Sequence, residues 1–103
     1  MKEIQSLSPD VRAKITLIGR EFVKSGYRPA HFINGYFTTG LHQYFDVEKL
    51  ECHKTAEGTI TFISPEFYAN SLSVGMKIEF YEGSHMVGYA EILEIYNDIL
   101  KQK

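Results

Sequence analysis

No cluster of lysines or arginines occurs anywhere along this chain, and its 11 basic residues are outnumbered by 13 acidic ones. Neutralising a phosphate backbone takes a surplus of cations on one face, so the net charge of −2 argues against generic nucleic-acid binding, DNA included. A single cysteine, Cys52, excludes an intramolecular disulfide framework. No apolar stretch approaches the ~20 residues that span a bilayer. Residues 1–10 are polar and lack the apolar segment of a secretory signal. These absences lead to the expectation of a cytoplasmic domain without membrane attachment. A Gly-x-x-x-x-Gly-Lys-Ser/Thr phosphate loop is missing as well. Gly83 and Gly88 have the glycine spacing but no lysine follows, so GTP is not expected to be held in that way.

What is present is a domain's worth of chain with a bias towards sheet. A length of 103 residues fits one domain that buries roughly two thirds of its unfolded surface. Tryptophan is absent, yet seven tyrosines and seven phenylalanines suit a half-buried pleated surface. Val11, Ala13, Ile15 and Leu17 alternate with Arg12, Lys14 and Thr16, the period of a strand with one wet face. Ser8-Pro9-Asp10 marks a turn before it, separating off a short polar leader. Residues 19–28 read as a loop, in which Glu21-Phe22-Val23-Lys24 has room for one helical turn. Residues 29–39 read as extended, interrupted at the turn pair Asn34-Gly35. Residues 41–50 are ambiguous, because Leu41, Tyr44, Phe45 and Glu48 also fit a helical repeat.

Glu57-Gly58 reads as a hairpin turn ahead of the β-branched run Thr59-Ile60-Thr61-Phe62-Ile63, which Ser64-Pro65 ends. Met76, Ile78 and Phe80 alternate with Lys77, Glu79 and Tyr81, and Glu82-Gly83-Ser84 turns that strand into the next. Towards the C-terminus Ile92, Tyr96 and Ile99, with Leu93 and Leu100, fall at helical spacing. Five or six short strands with turn signals between them point to a small closed barrel, which leaves no exposed sheet edge.

Two stretches carry a resemblance: Phe32-Ile33-Asn34-Gly35-Tyr36, and Tyr81-Glu82-Gly83-Ser84-His85-Met86-Val87-Gly88-Tyr89-Ala90. Together with Thr61-Phe62-Ile63-Ser64-Pro65, in this order and spacing, they resemble the C-terminal β-barrel, the third domain, of translation elongation factor Tu. The resemblance spans about residues 11–96 and implies an all-β fold, a small closed six-stranded antiparallel barrel of Greek-key type. It favours a strand through about Tyr96, with a frayed helical turn over residues 97–103. In that family the barrel grips the T-stem of aminoacyl-tRNA through a Gln, a Thr, a Lys and an Arg-Glu-Gly run. The corresponding positions here are Thr39, Glu48, Ser64 and Tyr81-Glu82-Gly83. Glu82 and Gly83 match, whereas Ser64 and Tyr81 replace the two cations and Glu48 introduces an acid. A carboxylate opposed to a phosphate costs binding energy.

A non-catalytic binding module follows, with a protein partner expected ahead of tRNA, and with no cofactor and no metal. The acidic residues Asp46, Glu48, Glu51 and Glu57 read either as a solvated surface or as a docking face for a basic partner. The second option fits an immunity protein that neutralises a bacterial toxin. Tyr44, Phe45, Phe67 and Tyr68, together with Asp46 and Glu51, are the candidate protein-binding patch if the aromatics lie outside the core. His31, His42, Cys52, His53 and His85 are metal-ligand and nucleophile types. They lack metal-site spacing, and extended backbone would point Cys52 and His53 to opposite faces.

Overall fold

The alternation at the start of the chain produces β1 (Val11–Leu17), whose apolar set is buried while Lys14 faces solvent. The computed structural model describes residues 8–102; the leader read from the sequence, up to residue 7, lies outside the described residues. Seven further strands follow: β2 (Phe22–Lys24), β3 (Ala30–Ile33), β4 (Tyr36–Tyr44), β5 (Lys49–Glu51), β6 (Thr55–Phe62), β7 (Lys77–Glu82) and β8 (His85–Ile95). Six of them close into an antiparallel barrel in the order β1-β6-β4-β3-β7-β8, while β2 and β5 pair separately. Among the described residues no helix is long and apolar enough to cross a membrane.

Antiparallel order brings the ends of β1, β4 and β7 and the starts of β3, β6 and β8 to one end of the barrel. The two long connections at that end, residues 18–29 and 45–54, pair with each other as the β2–β5 ribbon. Val23 and Leu50 from the ribbon are buried and join the barrel core, so the ribbon plugs this end. This overturns the helical turn expected at Glu21–Lys24. A single turn of four residues cannot sustain a helix, and here three of them gain Phe22↔Glu51, Val23↔Leu50 and Lys24↔Lys49 pairing instead. The opposite end is closed by Leu72 and Leu100, both fully buried, with backbone bonds from Leu72 N–H to Leu100 and from Gln102 N–H to Leu72. A short 3₁₀ turn at Asp98–Leu100 covers part of the helical turn expected over residues 97–103, Lys101 bridging to Leu72 instead, and residue 103 lies outside the described residues.

Three other expectations change in detail. The ambiguous stretch 41–50 is strand through Tyr44 followed by a turn at Asp46, whose φ is 61°. Glu57-Gly58 is not a hairpin turn but the middle of β6; the chain reverses at Cys52-His53, where His53 has φ 67°. Gly58 is needed for close approach instead. A Cβ there would meet the Gln43 carbonyl oxygen at 2.2 Å, where β4 and β6 cross. Gly58→Ala is therefore expected to lower stability by about 1–3 kcal/mol, since backbone cannot yield as a flexible side chain would. The urea midpoint of the purified variant measures it. Finally, the helical spacing that Ile92 and Leu93 share with Tyr96 has a strand explanation, since β8 runs to Ile95. The β1–β8 register shifts between Arg12 and Ala13, leaving Leu93 as an extra residue, and a bulge breaks the period of two.

Candidate functional site

The barrel presents two different outer faces. Across β7, β8, β1 and β6, Lys77 stands opposite Glu91, Glu91 opposite Lys14, and Lys14 opposite Glu57. Arg12 adds ion pairs to Glu57 and to Glu94, the latter at 3.4 Å. Opposite charges on neighbouring strands attract, each pair contributing about 0.2–1 kcal/mol. The row is neutral overall. Lys14 and Lys77 flank Glu91, one on each side.

On β3, β4 and β7 three neighbouring outward positions are aromatic. Asn34 at φ 52° and Gly35 at φ 85° make a two-residue turn, which fixes the pairs Ile33↔Tyr36 and Phe32↔Phe37. With His31 and Ile33 turned into the core, Phe32 and Phe37 both face out. Tyr81 joins them from β7, paired with Ala30. Ring centroids lie 5.1 Å apart for Phe32–Phe37 and 5.3 Å for Phe37–Tyr81. Phe32 is 42% exposed and Phe37 53%. A 3₁₀ turn at Pro65–Tyr68 borders the cluster: the Tyr68 hydroxyl donates to the Phe37 carbonyl at 3.1 Å, and Phe67 is 79% exposed.

The sequence-derived residues divide between places. Thr39 pairs with Ala30, which pairs with Tyr81, so Thr39 and Tyr81 share the aromatic face. Ser64 follows Ile63, whose N–H bonds the Thr39 carbonyl at 3.1 Å, and so lies beside them. Gly83 is in the β7–β8 turn, and the neighbouring Glu82 carboxylate accepts bonds from Arg20 at 2.8 Å and from the Tyr27 hydroxyl. Arg20, then Tyr27, hold the Glu82 carboxyl below the ordinary range. Glu48 lies apart, in the connection to the ribbon.

The six-residue patch expected around Tyr44 and Phe67 is not one surface. Tyr44 is buried at 7% exposure. Phe45, Asp46 and Glu51 are exposed at the ribbon end, whereas Phe67 and Tyr68 adjoin Phe37. Eight residues of extended chain separate Phe37 from Phe45, roughly 26 Å at ~3.3 Å per residue. Glu57 is drawn away from the other acids by Arg12. Phe32 and Phe37 were not among the site residues read from the sequence. The signal that locates them is the Asn-Gly turn, because a two-residue hairpin dictates which side chains share a face.

Inside the barrel two of the expected histidines meet. His31 and His42 are fully buried, with Nε2 atoms 2.8 Å apart, and His42 Nδ1 lies 2.8 Å from the Tyr44 hydroxyl. His31 Nδ1 faces the Thr38 carbonyl at 3.4 Å. A carbonyl only accepts, so His31 carries its proton on Nδ1 and presents Nε2 as an acceptor. His42 then donates from Nε2 and accepts at Nδ1 from Tyr44. One direction of donation satisfies every group while both rings stay neutral. Burial lowers His31 to about 4, and it lowers His42 well below the ordinary value, because two charged rings this close would also repel. Burial also raises the Tyr44 phenol. Gly40 makes room: a Cβ there would meet the His31 ring at 2.7 Å.

The remaining candidates sit around the loop after β1. Cys52 N–H bonds the Glu21 carbonyl, His53 N–H bonds Leu17, and His85 Nε2 lies 3.0 Å from the Gly19 carbonyl. Among the described residues no three His, Cys, Asp or Glu side chains are grouped as metal ligands. Compared with known proteins, the chain matches no protein-family model and no curated protein.

Proposed function

We propose that this chain is a non-catalytic binding module, built on a barrel like the third domain of elongation factor Tu, which docks a protein through its aromatic face. The observation that carries this reading is the Phe32–Phe37–Tyr81 cluster, a tilted ring pair and an edge-to-face pair sharing Phe37, on the outside of a barrel whose core is complete without them. Apolar rings held in solvent contribute nothing to this core. Rigid aromatic side chains are instead the groups that dominate protein interfaces. The sign-balanced Lys77–Glu91–Lys14–Glu57 row supports a protein over tRNA, since a polyanion is gripped by unopposed cations.

Substituting Phe37→Ser together with Phe67→Ser tests the reading. Both side chains are more than half exposed, so unfolding stability is expected to move by only about 0.5 kcal/mol per site. Partner affinity, measured on a protein captured from the native host and then purified, is expected to fall by more than ~30-fold. Unchanged affinity overturns the proposal. A captured partner that proves to be tRNA, lost steeply with added salt, overturns it in favour of the translation-related alternative.

A further inference from the structure

Beside the aromatic cluster lies an open hollow of about 440 Å³ lined by Phe32, Lys77, Glu79 and Tyr89. Sheet register accounts for it. Glu79 stands opposite Tyr89 on the β7–β8 side. On the other side Ala30 pairs with Tyr81, and continuing that register sets Phe32 beside Glu79. A carboxylate is thus flanked by two aromatic residues in one cross-strand row. The strands bearing Phe32 and Tyr89 lie two spacings apart, roughly 10 Å, wide enough for a planar group to stack between the rings.

The charges at the site identify the group. Glu79 accepts a hydrogen bond from the Tyr81 hydroxyl at 2.7 Å and takes no part in the ion pairs formed by Arg12, Arg20 and Lys101. Its carboxylate is exposed, with acceptor capacity left. The Lys77 ammonium already lies 5.4 Å from the centre of the Tyr89 ring, so that ring face holds a cation in the chain itself. Lys77 also has Glu91 opposite it, a second acid to turn to when displaced. A guanidinium is the cation that matches both flat rings and a carboxylate, because it stacks and donates in a planar fork.

We propose that the hollow between Phe32 and Tyr89 receives an arginine side chain of the protein partner, stacked on the rings and hydrogen-bonded to Glu79, with Lys77 as the displaceable internal occupant. This rests on the docking face described above and names what that face reads.

Titration of the ¹⁵N-labelled chain with N-acetyl-L-arginine amide, followed by amide chemical shifts, tests it directly. Saturating shifts are expected at Phe32, Lys77, Glu79 and Tyr89. The neutral analogue N-acetyl-L-citrulline amide is expected to bind at least about tenfold more weakly, the value of a charge-assisted hydrogen bond. Glu79→Gln is expected to weaken arginine binding about tenfold, and Lys77→Ala to strengthen it about threefold by vacating the ring. Equal response to citrulline, shifts elsewhere on the barrel, or shifts that never saturate overturn the assignment. If partner affinity falls with Phe37→Ser/Phe67→Ser but arginine gives no response, the docking face stands and the arginine site is lost. If arginine binds as described while partner affinity ignores those substitutions, the site stands and the docking face is lost.

Discussion

Acidification from about pH 7.5 to about pH 5 is expected to remove about 4 kcal/mol of stability, a large share of the ~5–15 kcal/mol available to a domain of this kind. The cause is the His31–His42 pair. Both rings are neutral in the folded barrel and both protonate in the unfolded chain below about 6.5, so the unfolded state binds more protons in mild acid. For a histidine whose folded pKa is depressed, stability is complete above the unfolded value and declines as pH falls from there. His31 stops contributing to the decline near its folded value of about 4. As long as a ring stays neutral when folded, the loss at pH 5 is set by the unfolded pKa alone, about 2 kcal/mol per ring. Glu82, held down by Arg20 and Tyr27, adds its own loss only below its ordinary value of 4.5 and does not confuse the window.

Urea unfolding at the two pH values measures the effect. A triple variant, His31→Leu, His42→Leu and Tyr44→Phe, replaces the whole hydrogen-bonded chain by apolar groups. Removing all partners together is far less costly than orphaning one, so the variant is expected to fold and to lose the slope. A wild-type midpoint that does not move between the two conditions would falsify the account. A slope that survives in the triple variant moves the cause away from these rings.

The same pair explains why β4 was hard to read. Its inward positions are Thr38, Gly40, His42 and Tyr44, while Phe37, Leu41 and Phe45 lie on the other side of the pleat. Polar groups on the inward side invert the usual pattern, so alternation does not mark Tyr44 as buried, and residues 41–50 fit a helical repeat as readily as a strand. Only the mutual pairing of two imidazoles makes the polar interior tolerable, and that pairing joins residues from different strands. Where a reason is local it was legible: the alternation of β1, the Asn34-Gly35 turn, the Glu82-Gly83-Ser84 turn and the run ending at Ser64-Pro65. Where a reason is tertiary it was not. β2 exists because β5 pairs with it, and Gly58 is glycine because of a carbonyl on another strand. The candidate site lay between these cases. Phe32 and Phe37 share a face by hairpin arithmetic, and Tyr89 comes opposite Glu79 through the β7–β8 hairpin, yet Phe32 reaches Glu79 only through the β3–β7 pairing of the barrel.

Asp10→Ala is expected to cost about 3–4 kcal/mol, although Ser8-Pro9-Asp10 reads in sequence as no more than a turn. Asp10 is 5% exposed at the end of the barrel opposite the ribbon. Its carboxylate accepts from the Phe62 N–H at 2.7 Å and from the Asn97 side-chain amide at 2.8 Å. Its carbonyl accepts from the Tyr96 and Asn97 amides, and its own N–H bonds the Ile60 carbonyl at 3.0 Å. One residue therefore fastens the start of β1 to the end of β6 and to the segment after β8, clasping both of its neighbours at this end of the barrel. Truncation to alanine removes two hydrogen bonds to a charged acceptor and strands the buried Phe62 N–H, each worth about 1–3 kcal/mol. Asp10→Asn keeps one oxygen for Phe62 but loses the charge, so about half the cost is expected from it, and Asn97→Ala, which leaves Phe62 satisfied, should cost least. Urea midpoints must follow that ranking. A loss under about 1 kcal/mol for Asp10→Ala removes the clasp from the account, and closure then rests on Leu72 and Leu100 packing beneath it.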